Sequence, residues 1–163
     1  MSAATVLLFE SVGQLMSLPL SHVREEIRPG LLTRLPRAPF GCLGTINLRG
    51  ELVPVLSLGT LVGLALPPRG DAVEQALVTG HLVVCEVAKA PVGLLVDRVL
   101  DLKESELETL AVGSLTLGAR SNELLTGGLR INGRTAWVLA PEGLVRPARR
   151  RLLERAVRPG PHA

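Results

Sequence analysis

The stretch GTINLRGELVPVLSL, residues 44–58, decides the fold that we predict for this chain. It holds two apolar, β-rich runs, 43–48 and 52–56, on either side of Arg49-Gly50-Glu51. Gly50 readily adopts the positive φ of a tight turn, so the stretch predicts a β-hairpin. A single arginine, Arg49, lies at the tip of this mostly apolar hairpin. Arg49 could serve as a solvated turn residue, a phosphate clamp or a contact for another protein, and the turn alone leaves these readings open.

Elsewhere in the chain, similar short apolar runs recur with turn residues at close intervals. In residues 97–102 polar and apolar residues alternate, as they do in a half-exposed strand. About ten short strands without long intervening helices predict an all-β barrel or a pair of small barrels, not a doubly wound α/β fold. The clearest further hairpins are 5–9 with 14–18, 81–87 with 92–96, and 124–131 with 135–139, the last around Asn132-Gly133.

Few helices are predicted, and all are short. Ser21 suits an N-cap, with residues 24–26 in the first turns of a helix that ends at Pro29-Gly30. A second short helix is predicted within 57–64, and 67–80 is interpreted as the most loop-like segment.

Composition and charge narrow the function classes. Of the 163 residues 47% are hydrophobic but only 2% aromatic, which predicts an aliphatic core and argues against a base-stacking platform for single-stranded nucleic acid. Residues 146–163 hold six Arg and one Glu, a charge of +5, so the rest carries −2 of the net +3. Nucleic-acid binding is therefore expected only through this basic tail, as nonspecific attraction.

Neither catalysis nor a cofactor is predicted. The three histidines lie far apart without ligand spacing, and neither a nucleophile elbow nor a phosphate-binding P-loop is present. Cys42 and Cys85 lie far apart and form no Cys-x-x-Cys motif, so they are predicted to be buried free thiols. The longest charge-free run, 52–68, contains three prolines, so no membrane insertion is expected. We expect a cytoplasmic protein without a metal, a cofactor or a small-molecule substrate.

Four segments, in order, resemble the signatures of CheW-like domains, the adaptors of bacterial chemotaxis arrays. They are HVREEIRPGLLTRLPRAP (22–39), GTINLRGELVPVLSL (44–58), PVGLLVDRVLDL (91–102) and NELLTGGLRINGR (122–134). The resemblance implies an all-β fold with short helices, in which two small five-stranded SH3-like β-barrels share one hydrophobic core over residues 1–145. Residues 146–163 would follow as a basic tail that forms a partner-binding helix, contacts an anionic surface or stays solvated.

The resemblance also implies a noncatalytic adaptor. It would couple the cytoplasmic tip of a chemoreceptor to the regulatory domain of a CheA-type histidine kinase, in receptor-associated arrays. One alternative is a divergent adaptor that keeps receptor binding and has weakened or lost kinase coupling. Another is a small β-barrel enzyme or ligand-binding protein.

The family's turn arginine matches Arg49, and its helix-end acid matches Glu25, which in the family approach each other beside a receptor groove. An arginine there offers a rigid five-donor fork to a partner helix. Asp97 is interpreted as an acceptor that fixes a junction, or as a solvated strand residue. The predicted partner-binding residues are Glu25, Asn47, Leu48, Arg49, Gly50, Val96 and Val99; ordinary core packing is the alternative for the three apolar ones.

Two positions depart from the family pattern. Ser57 stands where the family usually has Asp, and Pro141 stands where Asp or Asn often follows the last strand. Ser57 is expected to cap a helix still, and Pro141 suits the first turn of one. Structure should survive both changes, while one of the two partner surfaces could be altered.

Overall fold

The structure is a computed structural model, and it describes residues 3–106 and 124–144. Ten strands make up most of this part: β1 (Ala3–Ser11), β2 (Gln14–Pro19), β3 (Val23–Ile27), β4 (Cys42–Leu48), β5 (Glu51–Ser57), β6 (His81–Val87), β7 (Ala90–Val96), β8 (Arg98–Glu106), β9 (Leu125–Ile131) and β10 (Arg134–Leu139). The helices are a 3-10 turn (Leu20–His22), α1 (Leu58–Leu61), α2 (Asp71–Thr79) and α3 (Pro141–Leu144). No helix in the described ranges is long and apolar enough to cross a membrane.

The strands form two five-stranded sheets, which confirms the predicted all-β fold of two small barrels. The terminal barrel has the order β8-β1-β2-β10-β9 and takes its strands from both ends of the described chain. The central barrel has the order β3-β6-β7-β5-β4 and comes from the middle. Each sheet is mainly antiparallel, and each has one parallel pair, β2 with β10 and β5 with β7.

Side-chain alternation explains why strands such as β1 are apolar without interruption. Leu7 and Phe9 pack into a core that the two barrels share, while Val6 and Leu8 fill the interior of the terminal barrel. Because both faces are buried, the sequence shows a continuous apolar run instead of a period of two. The single shared core predicted from the sequence is thus the largest of three, with a smaller one inside each barrel.

The predicted helix around residues 24–26 is wrong. Only the 3-10 turn Leu20–His22 is helical, and the chain then enters β3, which pairs antiparallel with β6. Along β3 the half-buried residues Val23, Glu25 and Ile27 alternate with exposed ones. Pairing with a core strand overrides the capping signal at Ser21 because it buries this face and satisfies the backbone.

The opposite error occurs at residues 67–80, where a loop was predicted and α2 is found. Asp71 and Glu74 lie in the first turn of α2, where carboxylates favour the helix dipole, and Val73 is the buried anchor. The predictions of a short helix after β5 and of a helix starting at Pro141 are confirmed.

The connection between β3 and β4, residues 28–41, runs along the outer edge of the central barrel, and we call it the strap. Thr33 and Thr45 exchange two backbone hydrogen bonds of 2.8 Å, so the strap adds a short bridge to β4. Gly44 makes this approach possible: its φ is +152°, and a Cβ there would lie 2.2 Å from the Thr33 carbonyl oxygen.

Candidate partner-binding site

The β4–β5 hairpin ends in a two-residue turn in which both Arg49 and Gly50 have positive φ, 51° and 86°. This is the I′ type, whose twist matches that of the flanking strands. The Asn47 side chain braces the turn, because its Oδ1 accepts a 2.8 Å hydrogen bond from the Gly50 N–H. An arginine in this left-handed conformation is uncommon, and the turn holds its side chain 68% exposed.

Arg49 forms an ion pair with Glu25 of β3. Its Nη2 donates to Glu25 Oε1 at 2.5 Å, and the glutamate side chain is only 27% exposed. A bulge in β3 between Val23 and Glu25 lies at this position. Within the described residues the guanidinium has no second carboxylate, so its other donors remain available to a partner.

A second ionic contact runs beside the first. Arg24 donates from Nη1 to Glu51 at 3.1 Å and from Nη2 to Glu86 at 2.9 Å. It thereby ties the start of β5 to the end of β6, and the hydrogen bond to Glu86, followed by that to Glu51, raises the pKa of Arg24. We call these two arginines and three glutamates, Arg24, Glu25, Arg49, Glu51 and Glu86, the ionic ladder.

Arg24, Glu51 and Glu86 were not predicted as site residues. Arg24 and Glu86 lie on the paired strands β3 and β6, 62 positions apart, whereas Glu51, 27 positions from Arg24, lies on β5, which does not pair with β3. Charged residues at strand ends ordinarily indicate only a solvated surface, so the sequence carries no signal that singles out these three.

The structure does not gather the three apolar candidates into one groove. Leu48 is half-buried against the core of the central barrel, whereas Val96 is 1% exposed in the shared core. Val99 is partly buried against that same shared core. Leu48 pairs with the first residue of β5, and β7 approaches the last, so Leu48 and Val96 are separated by about 20 Å of strand. Val96 is a packing residue in this structure and not an accessible anchor.

Asp97 links the two barrels. Its Oδ2 accepts a 2.8 Å hydrogen bond from the Val12 N–H in the β1–β2 turn, and its own N–H donates to the Glu10 carbonyl at 2.9 Å. Ser57, expected to cap α1, makes no capping hydrogen bond; its Oγ instead accepts from Thr60 Oγ1 at 3.0 Å.

The described residues contain little that could bind a metal ion or act as a nucleophile. They contain no group of three or more His, Cys, Asp or Glu side chains that could hold a metal ion. Both cysteines are free: Cys85 is buried, which raises its pKa to about 12, and burial also raises the pKa of the half-buried Cys42. A thiol with a raised pKa is a poor nucleophile at neutral pH.

Comparisons with known proteins agree with this architecture. The family model described as "CheW-like domain" matches residues 5–149. The chain is 28% identical to "Chemotaxis protein CheW" of Thermotoga maritima over 74% of this chain and 76% of that protein. It is 31% identical to "Chemotaxis protein CheW" of Helicobacter pylori over 71% of each.

The solved structure of the scaffolding protein TtCheW from Thermoanaerobacter tengcongensis has a similar fold. Its TM-score is 0.74 at 19% identity, over 91% of both chains. Together with the family match across most of the sequence, this shows that the chain belongs to the CheW-like family.

Proposed function

We propose that this member of the CheW-like family is a noncatalytic chemosensory adaptor. It would couple the cytoplasmic tip of a chemoreceptor to the regulatory domain of a CheA-type histidine kinase, within cytoplasmic receptor-associated arrays. The family match over residues 5–149 and the chemotaxis proteins among the relatives support this role. The observation that carries the receptor contact is the exposed Arg49 held by Glu25.

The physical case for this contact rests on preorganisation. Arg49 loses less conformational freedom on binding than a free surface arginine, because the turn and Glu25 already restrict its side chain. Its remaining N–H donors suit carboxylates or exposed backbone carbonyls at the end of a partner helix. Asn47 and Gly50 set the turn, and Glu25 aims the guanidinium.

The apolar part of the contact would use side chains that solvent already reaches. Leu48 is half-buried next to Arg49, and Val99 is partly buried on β8. We assign Leu48 to the surface around Arg49. Val99 would belong to a separate patch on the terminal barrel, while Val96 acts from within by packing the shared core.

The test is a pair of titrations, with the receptor signalling tip and with the kinase regulatory domain from the same organism, each followed by calorimetry. The key variant is Arg49→Glu. Arg37→Glu is the matched control, since Arg37 is also exposed and also has a positive φ, 54°, but lies in the strap. We expect receptor binding to fail for Arg49→Glu and to persist for Arg37→Glu.

The kinase titration separates the two adaptor roles. Binding of the wild-type chain to both partners supports the coupling role. Binding to the receptor alone supports the alternative, an adaptor that has lost kinase coupling and modulates an array. Absence of binding to either partner contradicts the proposed function.

A further inference from the structure

A second surface lies at the other end of β5, in a groove between the two barrels. The terminal barrel contributes Ser11 and Val12, and the central barrel contributes Ser57 and the start of α1. The C-terminal half of α2 and Asp97 complete the wall. The inner part has a volume of about 180 Å³, and the more open outer part beside α2 has about 770 Å³. We call the two parts together the inter-barrel groove; it has room for a segment of chain with its side chains.

The rim of the groove is apolar and open to solvent. Leu66 is 88% exposed, Val78 on α2 is 72% exposed, and Val12 is 43% exposed. Three large aliphatic side chains around one depression are unusual on a free surface, where exposed apolar residues are normally scattered. A segment with apolar side chains could bury all three.

The charge of the groove is negative. The charged side chains that line it in the described part of the chain are Asp97 and Glu74, both carboxylates. Glu74 is paired with Arg34, whereas Asp97 accepts the Val12 N–H, forms no salt bridge within the described residues and stays exposed. The last turn of α2 carries no basic residue to offset its negative dipole end, although Arg28 caps the following Gly80 carbonyl. The groove therefore suits a cation flanked by apolar side chains.

The chain's own C-terminal sequence has this chemistry. Residues 149–153 read Arg-Arg-Arg-Leu-Leu, within a segment of net charge +5. The described chain ends at Leu144, which is buried in the shared core between the barrels. Leu152 lies eight positions after Leu144, and an extended stretch of that length can span up to about 27 Å. That reach is comparable with the size of the domain, whose radius of gyration should be about 15 Å.

We propose that residues 146–158 dock in the inter-barrel groove of their own chain. Leu152 and Leu153 would cover Leu66 and Val78, and an arginine of 149–151 would pair with Asp97. Because the segment is tethered, a weak contact suffices: a short linker gives an effective concentration in the millimolar range. The proposal is independent of receptor binding, since the groove lies about 20 Å along β5 from the ionic ladder.

The experiment compares amide NMR spectra of the full chain with those of two variants. Arg149→Glu/Arg150→Glu/Arg151→Glu reverses the basic cluster. Asp97→Asn removes the groove charge but keeps an oxygen that can accept from Val12. We expect both variants to shift the amides of Leu66, Val78, Thr79 and Gly80, and the Arg37→Glu control to leave them unchanged.

Three results would overturn the proposal. One is a triple variant whose spectrum differs from wild type only within residues 146–158. Another is a set of shifts on a different surface of the domain. The third is a groove signal that disappears on dilution, which would place the segment on a second copy of the chain. Thermal unfolding of each variant checks that the fold is intact.

Discussion

Reversing the charge of Arg49 should weaken receptor binding much more than it lowers the free energy of unfolding. The exposure of the Arg49–Glu25 ion pair sets the size of the effect on stability. The Arg49 side chain is 68% exposed and that of its partner Glu25 is 27% exposed. An ion pair this open to solvent contributes about 0.2–1 kcal/mol. In Arg49→Glu two carboxylates face each other, which adds a repulsion of similar size. We expect the midpoint of thermal unfolding to fall by only a few degrees, since about 1 kcal/mol corresponds to ~2–4 °C in a domain of this length.

The expected effect on receptor binding is larger. Removing one side of a hydrogen-bonded charge contact at an interface costs about 2–5 kcal/mol, and 2 kcal/mol already weakens binding by about 30-fold. Calorimetric titration of the receptor tip measures this loss. Thermal unfolding of the same sample, followed by circular dichroism, verifies that the variant is folded.

A charge swap makes the test decisive. The double variant Glu25→Arg/Arg49→Glu restores the ion pair with the charges exchanged. If Arg49 itself contacts the receptor, the swap recovers the lost stability but does not recover binding. Recovery of binding in the swap would refute the reasoning, because it would show that only the pair matters. Near-normal binding of a folded Arg49→Glu variant would refute it as well.

Three further predictions concern the fold. Gly44→Ala should lower the free energy of unfolding by about 1–3 kcal/mol in denaturant, because the added Cβ would meet the strap backbone and Gly44 has a positive φ. In the control Gly30→Ala the added Cβ lies in open space, so the free energy of unfolding should stay within about 0.5 kcal/mol of wild type. The hydrogen bond from Arg98 lowers the pKa of Glu10 below its ordinary 4.5. The Glu10 carboxylate therefore contributes fully to stability above pH 4.5, and this contribution is lost as pH falls through the folded-state pKa. Glu10→Gln should flatten the fall in stability over that pH window, and an unchanged slope would contradict the assignment. Cys85 is 0% exposed, and burial raises its pKa to about 12, so its reaction with a thiol reagent should require unfolding, and rapid labelling in native buffer would show that the site is open.

The sequence predicted the hairpins well because their turns carry local signals. Asn132-Gly133 adopts positive φ at both positions, as its residue types favour, and Gly50 does so in the β4–β5 turn. The continuous apolar runs also indicated strands. These features depend on neighbours within a few positions, which is the range that a single sequence reports.

The helix predictions failed where long-range pairing decides the structure. Ser21 precedes β3, and Glu25 and Glu26 lie within it, a pattern that favours a helix start; yet β6 is available as an antiparallel partner, and the half-buried face of β3 completes the sheet. In α2 the converse holds: proline and glycine just before Asp71 suggested a loop, while one buried residue, Val73, anchors the helix. Residue types alone indicated only the local part of the candidate site, Asn47 to Gly50, and the family resemblance added Glu25, which pairs with Arg49 in the structure. Arg24 and Glu86 join it through contacts that no spacing reveals.

The placement of β5 explains how a chain this small can present two separate surfaces. Its first residue, Glu51, belongs to the ionic ladder, and its last, Ser57, lines the inter-barrel groove. Between them Val53, Val55 and Leu56 are completely buried, with the first two in the central core and the third in the shared core. Because a close-packed strand of this kind resists deformation, the two ends stay at a fixed separation of about 20 Å. A change confined to the groove should therefore leave the Arg49 turn in place, so receptor affinity and occupation of the groove can be altered one at a time.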